Sequence, residues 1–296
     1  MLKMLLQGFK TVKSKVVASP YLSEMVERIH NTTLRDSLED LKRSPRYQDP
    51  KSLIPHGYTL YSQGEEDGMI CEIFKRIGVT NKTFVEFGAE YGLQNNTLAL
   101  LFEEWRGLWI EGGDRSAKRI FETFGNTIKQ GRLKVIHSFV TRENINDLIG
   151  SAGFAGEIDL LSVDIDGNDF HVLEAITCVK PRVIVVEYNA KFPPHLFYCM
   201  AYDATHSWKG DDCYGASLKY MEVGISRLGY NLVGCSLSGA NAFFVRTDLV
   251  GDKFLAPFTA ENHYEPPRHQ FGSLASGHAA SARTLETAIL KSPARA

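Results

Sequence analysis

The chain has 296 residues, and its 33 lysines and arginines nearly balance 35 aspartates and glutamates, which gives a formal net charge of −2. This balance argues against a protein that binds nucleic acid through a broad basic surface. Apolar residues make up 44% of the chain, enough for a core of ordinary size, but no apolar run reaches the roughly 18 residues that a membrane-spanning helix needs. The five cysteines include no C-x-x-C pair, which is typical of reduced thiols in a cytosolic protein.

The first 17 residues have a composition of their own. Residues 1–17 carry four lysines among leucines, valines and a phenylalanine, and a basic amphipathic helix of this kind can lie on an anionic membrane surface. The alternative is a helix packed on its own domain, or a frayed terminus. We therefore expect a cytoplasmic protein, with peripheral membrane contact through residues 1–17 as one option.

Changes in composition along the chain predict three regions. A polar stretch of helical texture ends at two prolines and defines an N-terminal helical extension, residues 1–50. The main domain is expected over residues 51–257. The remaining residues, 258–296, lose periodicity and become rich in alanine, serine and glycine, which predicts a flexible tail with one short helix near Leu285–Leu290.

The most informative motif in the main domain is a glycine turn. An apolar run from Thr83 reaches Glu86 and Phe87, and Gly88 and Gly92 follow before the next apolar stretch. This order predicts a strand, a tight turn and a helix, the first unit of an open α/β sheet whose ligands bind beyond the carboxyl ends of the strands. The pattern is not G-x-G-x-x-G, so the dinucleotide-binding motif is absent.

Similar apolar runs predict the rest of the sheet. The further expected strands are Gly107–Glu111, Lys134–Val140, Ile158–Val163 and Arg182–Asn189, followed by a hairpin of Tyr230–Cys235 and Asn241–Arg246. Upstream, apolar spacing predicts a helix that ends before Gly78. Ser62 and Glu65 have the spacing of a helix capping box, and the alternative interpretation places Gln63 or Glu66 near a ligand.

Acidic residues stand at the ends of four of the predicted strands. Glu111, at the end of the second strand, can accept hydrogen bonds from both ribose hydroxyls of a nucleoside, as acids do in nucleotide-binding sheets; the alternative is a solvated acid. Residues 138–141, at the end of the third strand, are expected beside the base.

Carboxylates crowd the ends of the fourth and fifth strands. Like charges at close range raise one another's pKa, so a cation or a shared proton is needed there. A helix N-terminus decorated with acids would explain Asp169 but not Asp164, which directly follows the strand. Oxygen ligands suit Mg²⁺, or proton abstraction at an acceptor hydroxyl. The candidate metal ligands are Asp164, Asp166, Asp169, Glu187 and Asn189.

A long irregular segment, residues 190–214, follows the fifth strand. It contains His195, His206 and Trp208. Segments of this length in a compact domain are often lids or binding loops, and aromatic and polar groups together suit sugar-like or planar acceptors. An ordinary surface excursion is the alternative.

Taken together, these motifs resemble the FkbM-like branch of the class I S-adenosylmethionine (SAM) methyltransferases, over Tyr58–Asp248. The residues that carry the resemblance are Ser62-Gln63, Glu66-Asp67, Glu86-Phe87-Gly88, Asn96-Thr97, Glu111, Asp164–Asp169, Glu187-Tyr188-Asn189 and Asn241–Phe244. The resemblance implies an α/β fold of the Rossmann-like class I methyltransferase type, with a mostly parallel sheet, helices on both faces and a C-terminal antiparallel hairpin. It also implies O-methylation of a small-molecule or glycan acceptor, often a sugar or another glycosylated product, with SAM as donor. Mg²⁺ is the optional ion that the acidic cluster itself suggests.

Position in the predicted sheet and the resemblance together give candidate roles to individual residues. The cofactor-binding candidates are Glu86, Gly88, Gly92, Asn96, Glu111, Ser138 and Asp164. The catalytic candidates are Asp164, Glu187 and His206, with His195 in reserve, because histidine titrates near neutral pH. The rival interpretation is a non-catalytic protein that binds a nucleoside or scaffolds a glycan-assembly complex.

Overall fold

The computed structural model describes residues 20–268 together with Glu286, Ile289 and Leu290. The chain divides into two compact units, residues 1–44 and residues 45–296. The basic amphipathic segment predicted at residues 1–17 lies outside the described residues.

In the first unit, the described element is a helix of 23 residues, α1 (Pro20–Lys42). Arg28 pairs with Glu24, and Arg43 with Asp40, across one helical turn, which is the spacing at which opposite charges support a helix. Within the part of the chain that the structure describes, no helix combines the length and the apolar content needed to cross a bilayer.

The second unit is built around one seven-stranded sheet. Its strands are β1 (Thr83–Phe87), β2 (Arg106–Glu111), β3 (Leu133–His137), β4 (Gly156–Val163), β5 (Val179–Glu187), β6 (Tyr230–Cys235) and β7 (Asn241–Arg246). Their order across the sheet is β3-β2-β1-β4-β5-β7-β6. The first five strands are parallel, and β7 runs antiparallel to both β5 and β6. The predicted fold class is confirmed, including the closing hairpin.

Helices cover both faces of this sheet. They are α2 (Glu66–Ile77), α3 (Leu98–Leu101), α4 (Asp114–Thr123), α5 (Gly125–Lys129), α6 (Ile145–Ser151), α7 (Asp169–Ala175), α8 (Leu218–Arg227), α9 (Thr247–Val250) and α10 (Ala260–His263). Alternate residues of a strand face opposite sides. Val85 and Phe87 accordingly join a core with α6, α7 and α8, whereas Trp109 on β2 packs edge-on against Phe124 between α4 and α5. Burial on both faces explains why these strands read as continuous apolar runs.

The carboxyl ends of four strands meet at one edge. In the strand registers, Phe87 of β1 lies beside Ile110 of β2 and Val163 of β4, and Val163 lies beside Val186 of β5. The residues that follow these positions are therefore neighbours, although they are far apart in sequence.

The entry to α2 differs from the predicted capping box. The helix begins at Glu66, and the preceding Glu65 makes no side-chain capping bond. The Ser62 hydroxyl instead donates to Asp67 Oδ2 at 2.8 Å. The chain before α2 folds back over the first turn of the helix. Ser62 therefore contacts Asp67 and not Glu65.

Residues 258–268, which were assigned to a flexible tail, pack against the domain in the structure. Glu265 is 1% exposed, and its carboxylate accepts hydrogen bonds from the Tyr47 hydroxyl at 2.8 and 2.9 Å. The Tyr188 hydroxyl, at the end of β5, donates to the Glu265 carbonyl at 2.7 Å. Further along, Glu286 accepts from the backbone N–H of Asn126 at 2.6 Å. The other residues of this region lie outside those that the structure describes.

Candidate cofactor and acceptor site

A cavity of about 450 Å³ lies at the carboxyl ends of β1, β2, β4 and β5. This volume is within the range of small-molecule sites. Its titratable lining is almost entirely acidic: Glu90, Glu111, Asp164, Asp166, Glu187 and His206. Among the residues that the structure describes, no lysine or arginine lines it. The cavity therefore suits a ligand that carries positive charge or many hydroxyl groups.

The turn after β1 needs glycine at its first position. Gly88 has φ +74°, and a Cβ there would lie 1.6 Å from the carbonyl oxygen of Asp164. Gly88 thus lines the cavity where two strand ends approach each other. Gly92 is also left-handed, at φ +68°, but a Cβ there would meet the Trp109 ring at 2.7 Å. The structure therefore places Gly92 against the core and outside the cavity lining.

Glu86 and Asn96 stabilise the turn after β1 by hydrogen bonds on its buried side. Glu86 is 3% exposed; its carboxylate accepts from the backbone N–H of Asn96 at 2.9 Å and from the Thr97 hydroxyl at 2.5 Å. The Asn96 amide donates to the Ser162 hydroxyl at 3.1 Å. Neither Glu86 nor Asn96 is among the residues that line the cavity, so both shape the site indirectly.

Burial raises the pKa of Glu86 from its ordinary value of 4.5 to about 7, although its hydrogen bonds act in the opposite direction. A folded-state pKa above the unfolded value means that this group contributes stability below pH 4.5, which is lost as the pH rises towards about 7. Relative to Glu86→Gln, the wild-type protein should therefore lose about 2 kcal/mol of unfolding free energy between pH 5.5 and pH 8. Urea denaturation of both proteins at the two pH values measures this difference, and an equal change in both would contradict it.

Glu111 is fixed with its carboxylate facing the cavity. One oxygen accepts from the backbone N–H of Glu90 at 2.8 Å and the other from that of Gly113 at 2.7 Å. Burial raises its pKa, while these bonds favour the charged form. Each carboxylate oxygen can accept a further hydrogen bond, so Glu111 is held ready for two more donors.

The end of β3 supplies an apolar wall next to Glu111. Phe139 and Val140 line the cavity, and Phe139 is 49% exposed. The predicted Ser138 lies beside them, but its hydroxyl donates to the Phe139 carbonyl at 3.2 Å and it is not part of the lining. An exposed aromatic ring beside a carboxylate suits a nucleoside, because the ring packs on the base and the acid binds the ribose.

Three of the predicted metal ligands come together. One carboxylate oxygen from each of Asp164, Asp166 and Glu187 lies within 4.8 Å of the others. Burial raises the pKa of Asp164 and Glu187 well above the usual carboxyl range, and the charges of the neighbouring carboxylates raise it further. Glu187 Oε2 is buried without a hydrogen-bond partner among the described residues. This group therefore has unused acceptor capacity.

The other two predicted ligands, Asp169 and Asn189, accept hydrogen bonds from neighbouring backbone groups or donate to them. Asp169 is fully buried, and its two oxygens accept from the backbone N–H groups of Ile165 and Gly167 at 2.8 Å each. Burial raises its pKa to about 6. Asn189 Oδ1 accepts from the N–H of Lys191 at 3.2 Å, and its amide donates to two backbone carbonyls. Both side chains hold turns in place, and neither is among the residues that line the cavity. The charge of Asp169 nevertheless helps to raise the pKa of Asp164 and Glu187.

Of the two histidines in the segment after β5, only His206 lines the cavity. Its Nε2 lies 3.1 Å from the carbonyl oxygen of Asp166. Because a carbonyl can only accept, Nε2 carries the proton, and in the neutral ring Nδ1 keeps its lone pair. The ring packs directly on Gly167, where a Cβ would come within 2.3 Å of it. His195 is exposed and outside the lining.

Other lining residues were assigned no role from the sequence. Ser116 and Asn168 follow the ends of β2 and β4, and Glu90 lies inside the glycine turn. The position of Glu90 between Gly88 and Gly92 is the signal that could have revealed it, since the backbone of such a turn approaches the ligand.

Comparisons with known proteins add the following. A scan against protein-family models gave no match, and a search of curated proteins gave none either. Among solved structures, the chain is similar to the N-terminal domain of EvdMO1 with S-adenosylhomocysteine (SAH) bound, at 13% identity, with 70% of this chain and 94% of that one covered and a TM-score of 0.40.

Two further solved structures are a methyltransferase domain of bacterial CtHen1 and a Staphylococcus aureus protein with a provisional assignment as a caffeoyl-CoA O-methyltransferase. The first is 14% identical, covering 62% of this chain and 97% of that one, with a TM-score of 0.40. The second is 13% identical, covering 74% and 99%, with a TM-score of 0.42. These identities and scores are low, so the fold assignment depends on the strand order itself. That order, with its antiparallel β7, is the class I methyltransferase fold.

Proposed function

We propose that this protein is a SAM-dependent O-methyltransferase of the FkbM-like kind, acting on a hydroxyl group of a sugar, a glycan or a glycosylated small molecule. The observation that carries the proposal is that one cavity joins two kinds of acid. Glu111 is oriented by two backbone N–H groups at the end of β2, and an acidic group stands at the ends of β4 and β5. The first suits a nucleoside cofactor, and the second suits an acceptor that must lose a proton.

The cofactor would lie across the strand ends from β3 to β4. Glu111 would accept hydrogen bonds from the ribose hydroxyls, and Phe139 and Val140 would contact the adenine. Gly88, which has no side chain, would let the methionine portion approach the backbone. Asp164 would lie at the methionine end, where the positive charges of SAM offset the acidic lining.

In this reaction the protein forms no covalent bond with either reactant. The acceptor oxygen attacks the methyl carbon as the carbon–sulfur bond breaks, so SAM becomes SAH, and the hydroxyl proton passes to a base. Holding the two reactants in line supplies much of the rate enhancement. Glu187 is our main candidate for the base, because one of its oxygens has no partner within the described residues. Asp164 and Nδ1 of His206 are the alternatives.

Mg²⁺ is part of the proposal as an optional ion. Asp164, Asp166 and Glu187 offer three carboxylate oxygens close together, and hard cations prefer such ligands. When bound, the ion would offset the negative charge and lower the pKa of an acceptor hydroxyl. The same carboxylates can act on the hydroxyl proton without it.

The acceptor class follows from the lining and from the segment after β5. Carboxylates and amides accept or donate hydrogen bonds to hydroxyl groups. Near His206, Trp208 is 52% exposed, and an exposed indole offers a flat apolar surface to a sugar ring. These features support a hydroxyl-rich acceptor.

Calorimetry with SAH tests the cofactor role. We expect wild-type protein to bind SAH with a dissociation constant in the micromolar range. Glu111→Ala should weaken binding at least about tenfold, because two ribose hydroxyls lose a charged acceptor. Glu122→Ala, which removes an exposed carboxylate from α4 outside the cavity, is the matched control. No binding of SAH by the wild-type protein would reject the methyltransferase proposal.

Binding of SAH without methyl transfer to any acceptor pool would instead support the rival function. In that case the protein would be a non-catalytic nucleoside-binding or scaffold protein.

A further inference from the structure

The loop before α2 is held rigidly by its own helix. Asp67 Oδ2 accepts hydrogen bonds from three consecutive backbone N–H groups, those of Leu60, Tyr61 and Ser62, at 2.7 to 2.8 Å. The Ser62 hydroxyl adds a fourth at 2.8 Å. Consecutive N–H groups directed at one anion form a compact nest. Here the anion belongs to the chain, so the nest fixes the loop and does not bind a ligand.

The other side of the loop is fixed to the sheet. Glu66 is 1% exposed; its carboxylate accepts from the backbone N–H of Gly64 at 2.8 Å and from the Asn241 amide at 3.0 Å. Glu65 accepts from the backbone N–H of Leu237. Asn241 begins β7 and lies opposite Glu187 of β5 in the strand register. The loop therefore stands over the β5 side of the cavity, away from Glu111.

Gln63 lies between these two fixed points and is one of the residues that line the cavity. It is exposed, and its amide makes no hydrogen bond within the described residues. Both neighbours, Ser62 and Gly64, are held by the bonds described above. The loop thus presents an unused amide group at a defined position.

The charges around Gln63 limit what it can recognise. SAM and SAH both carry an α-carboxylate, and five carboxylates line the cavity without a lysine or arginine in the described chain. The ligand's carboxylate therefore needs neutral donors. Asn168 is occupied with the backbone of Asp203, and Ser116 lies on α4 beyond the ribose end. At the methionine end, Gln63 is the remaining neutral side-chain donor of the lining.

We propose that the Gln63 amide donates a hydrogen bond to the α-carboxylate of the cofactor and so distinguishes amino-acid-bearing nucleosides from those without a carboxylate. This inference builds on the proposed SAM-binding function. Gln63 would touch the cofactor directly, and Asp67 and Glu66 would position it by holding the loop.

The test compares two ligands that differ only in the carboxylate. SAH has it, and S-adenosyl-3-thiopropylamine keeps the amine, sulfur and adenosine but lacks it. In Gln63→Glu, a carboxylate replaces the amide at nearly the same volume, so we expect the dissociation constant of SAH to rise at least about tenfold. The constant for the thiopropylamine should stay within about twofold of wild type or fall. Gln63→Ala should show the same trend to a smaller degree.

Gln130→Glu provides the control for added charge, since Gln130 is exposed at the end of α5 outside the cavity. An equal loss of affinity for both ligands, or an unchanged affinity for SAH in Gln63→Glu, would overturn the inference. Because Gln63 makes no internal bond in the described chain, the variants should unfold at the wild-type temperature. The proposed function is tested by whether the wild-type protein binds SAH. The role of Gln63 is tested separately, by the ratio of the dissociation constants of the two ligands in the Gln63 variants.

Discussion

Glu187→Gln should lower methyl transfer roughly a hundredfold or more, the usual contribution of a general base, while the affinity for SAH changes by less than about threefold. The amide keeps the shape of the side chain but cannot take a proton from the acceptor. The measurement is transfer of a labelled methyl group from SAM to a glycan or small-molecule extract, combined with calorimetry for SAH. Glu174→Gln, which changes an exposed carboxylate on α7, is the matched control.

The same assay can separate the possible bases. A wild-type rate from Glu187→Gln would reject our placement of the chemistry at the end of β5. Loss of activity in excess EDTA, restored by Mg²⁺, would assign the three carboxylates to a metal ion. Full activity in excess EDTA would leave a carboxylate or His206 as the base.

Gly88→Ala should unfold the site and abolish SAH binding. A Cβ at this position would lie 1.6 Å from the Asp164 carbonyl oxygen, which is backbone and cannot rotate away. We expect the unfolding free energy to fall by more than about 3 kcal/mol, because strained backbone and steric overlap add together. Urea denaturation and calorimetry measure the two effects.

Gly131→Ala separates these two causes. Gly131 has a similar φ of +71°, but a Cβ there meets nothing within 4 Å. The unfolding free energy of Gly131→Ala should therefore fall by only about 1 kcal/mol, the ordinary cost of a side chain in the left-handed region. This variant should keep full affinity for SAH. Equal losses in both variants would show that close contact at Gly88 is unimportant.

The strands could be predicted from sequence because each is buried on both faces. Such strands read as apolar runs, and β6 and β7 were located at their observed bounds. The order of the strands required the family resemblance, since apolar runs contain no information about neighbours. The packing of residues 258–268 could not be predicted, because it depends on individual hydrogen bonds of Glu265 with Tyr47 and Tyr188.

Within the site, sequence spacing predicted which residues lie at the strand ends but not which of their atoms are free. Asp164 and Asp169 have the same chemistry five positions apart. Asp164 joins the acidic group and lines the cavity, whereas Asp169 is fully buried outside the lining, where its oxygens accept from two backbone N–H groups. Glu86 and Glu111 differ in the same way: each carboxylate accepts two hydrogen bonds, but Glu86 is buried beneath the turn that follows β1, whereas Glu111 lines the cavity.

The bond between Glu66 and Asn241 has a consequence for how the protein is made. The loop that carries Gln63 comes early in the chain, but the hydrogen bond between Glu66 and Asn241 attaches it to β7, the last strand to be synthesised. Because β7 inserts between β5 and β6, the loop can be secured only after the whole sheet has closed. Translation intermediates that stop before residue 241 should therefore lack cofactor affinity, and SAH binding would report the completion of folding.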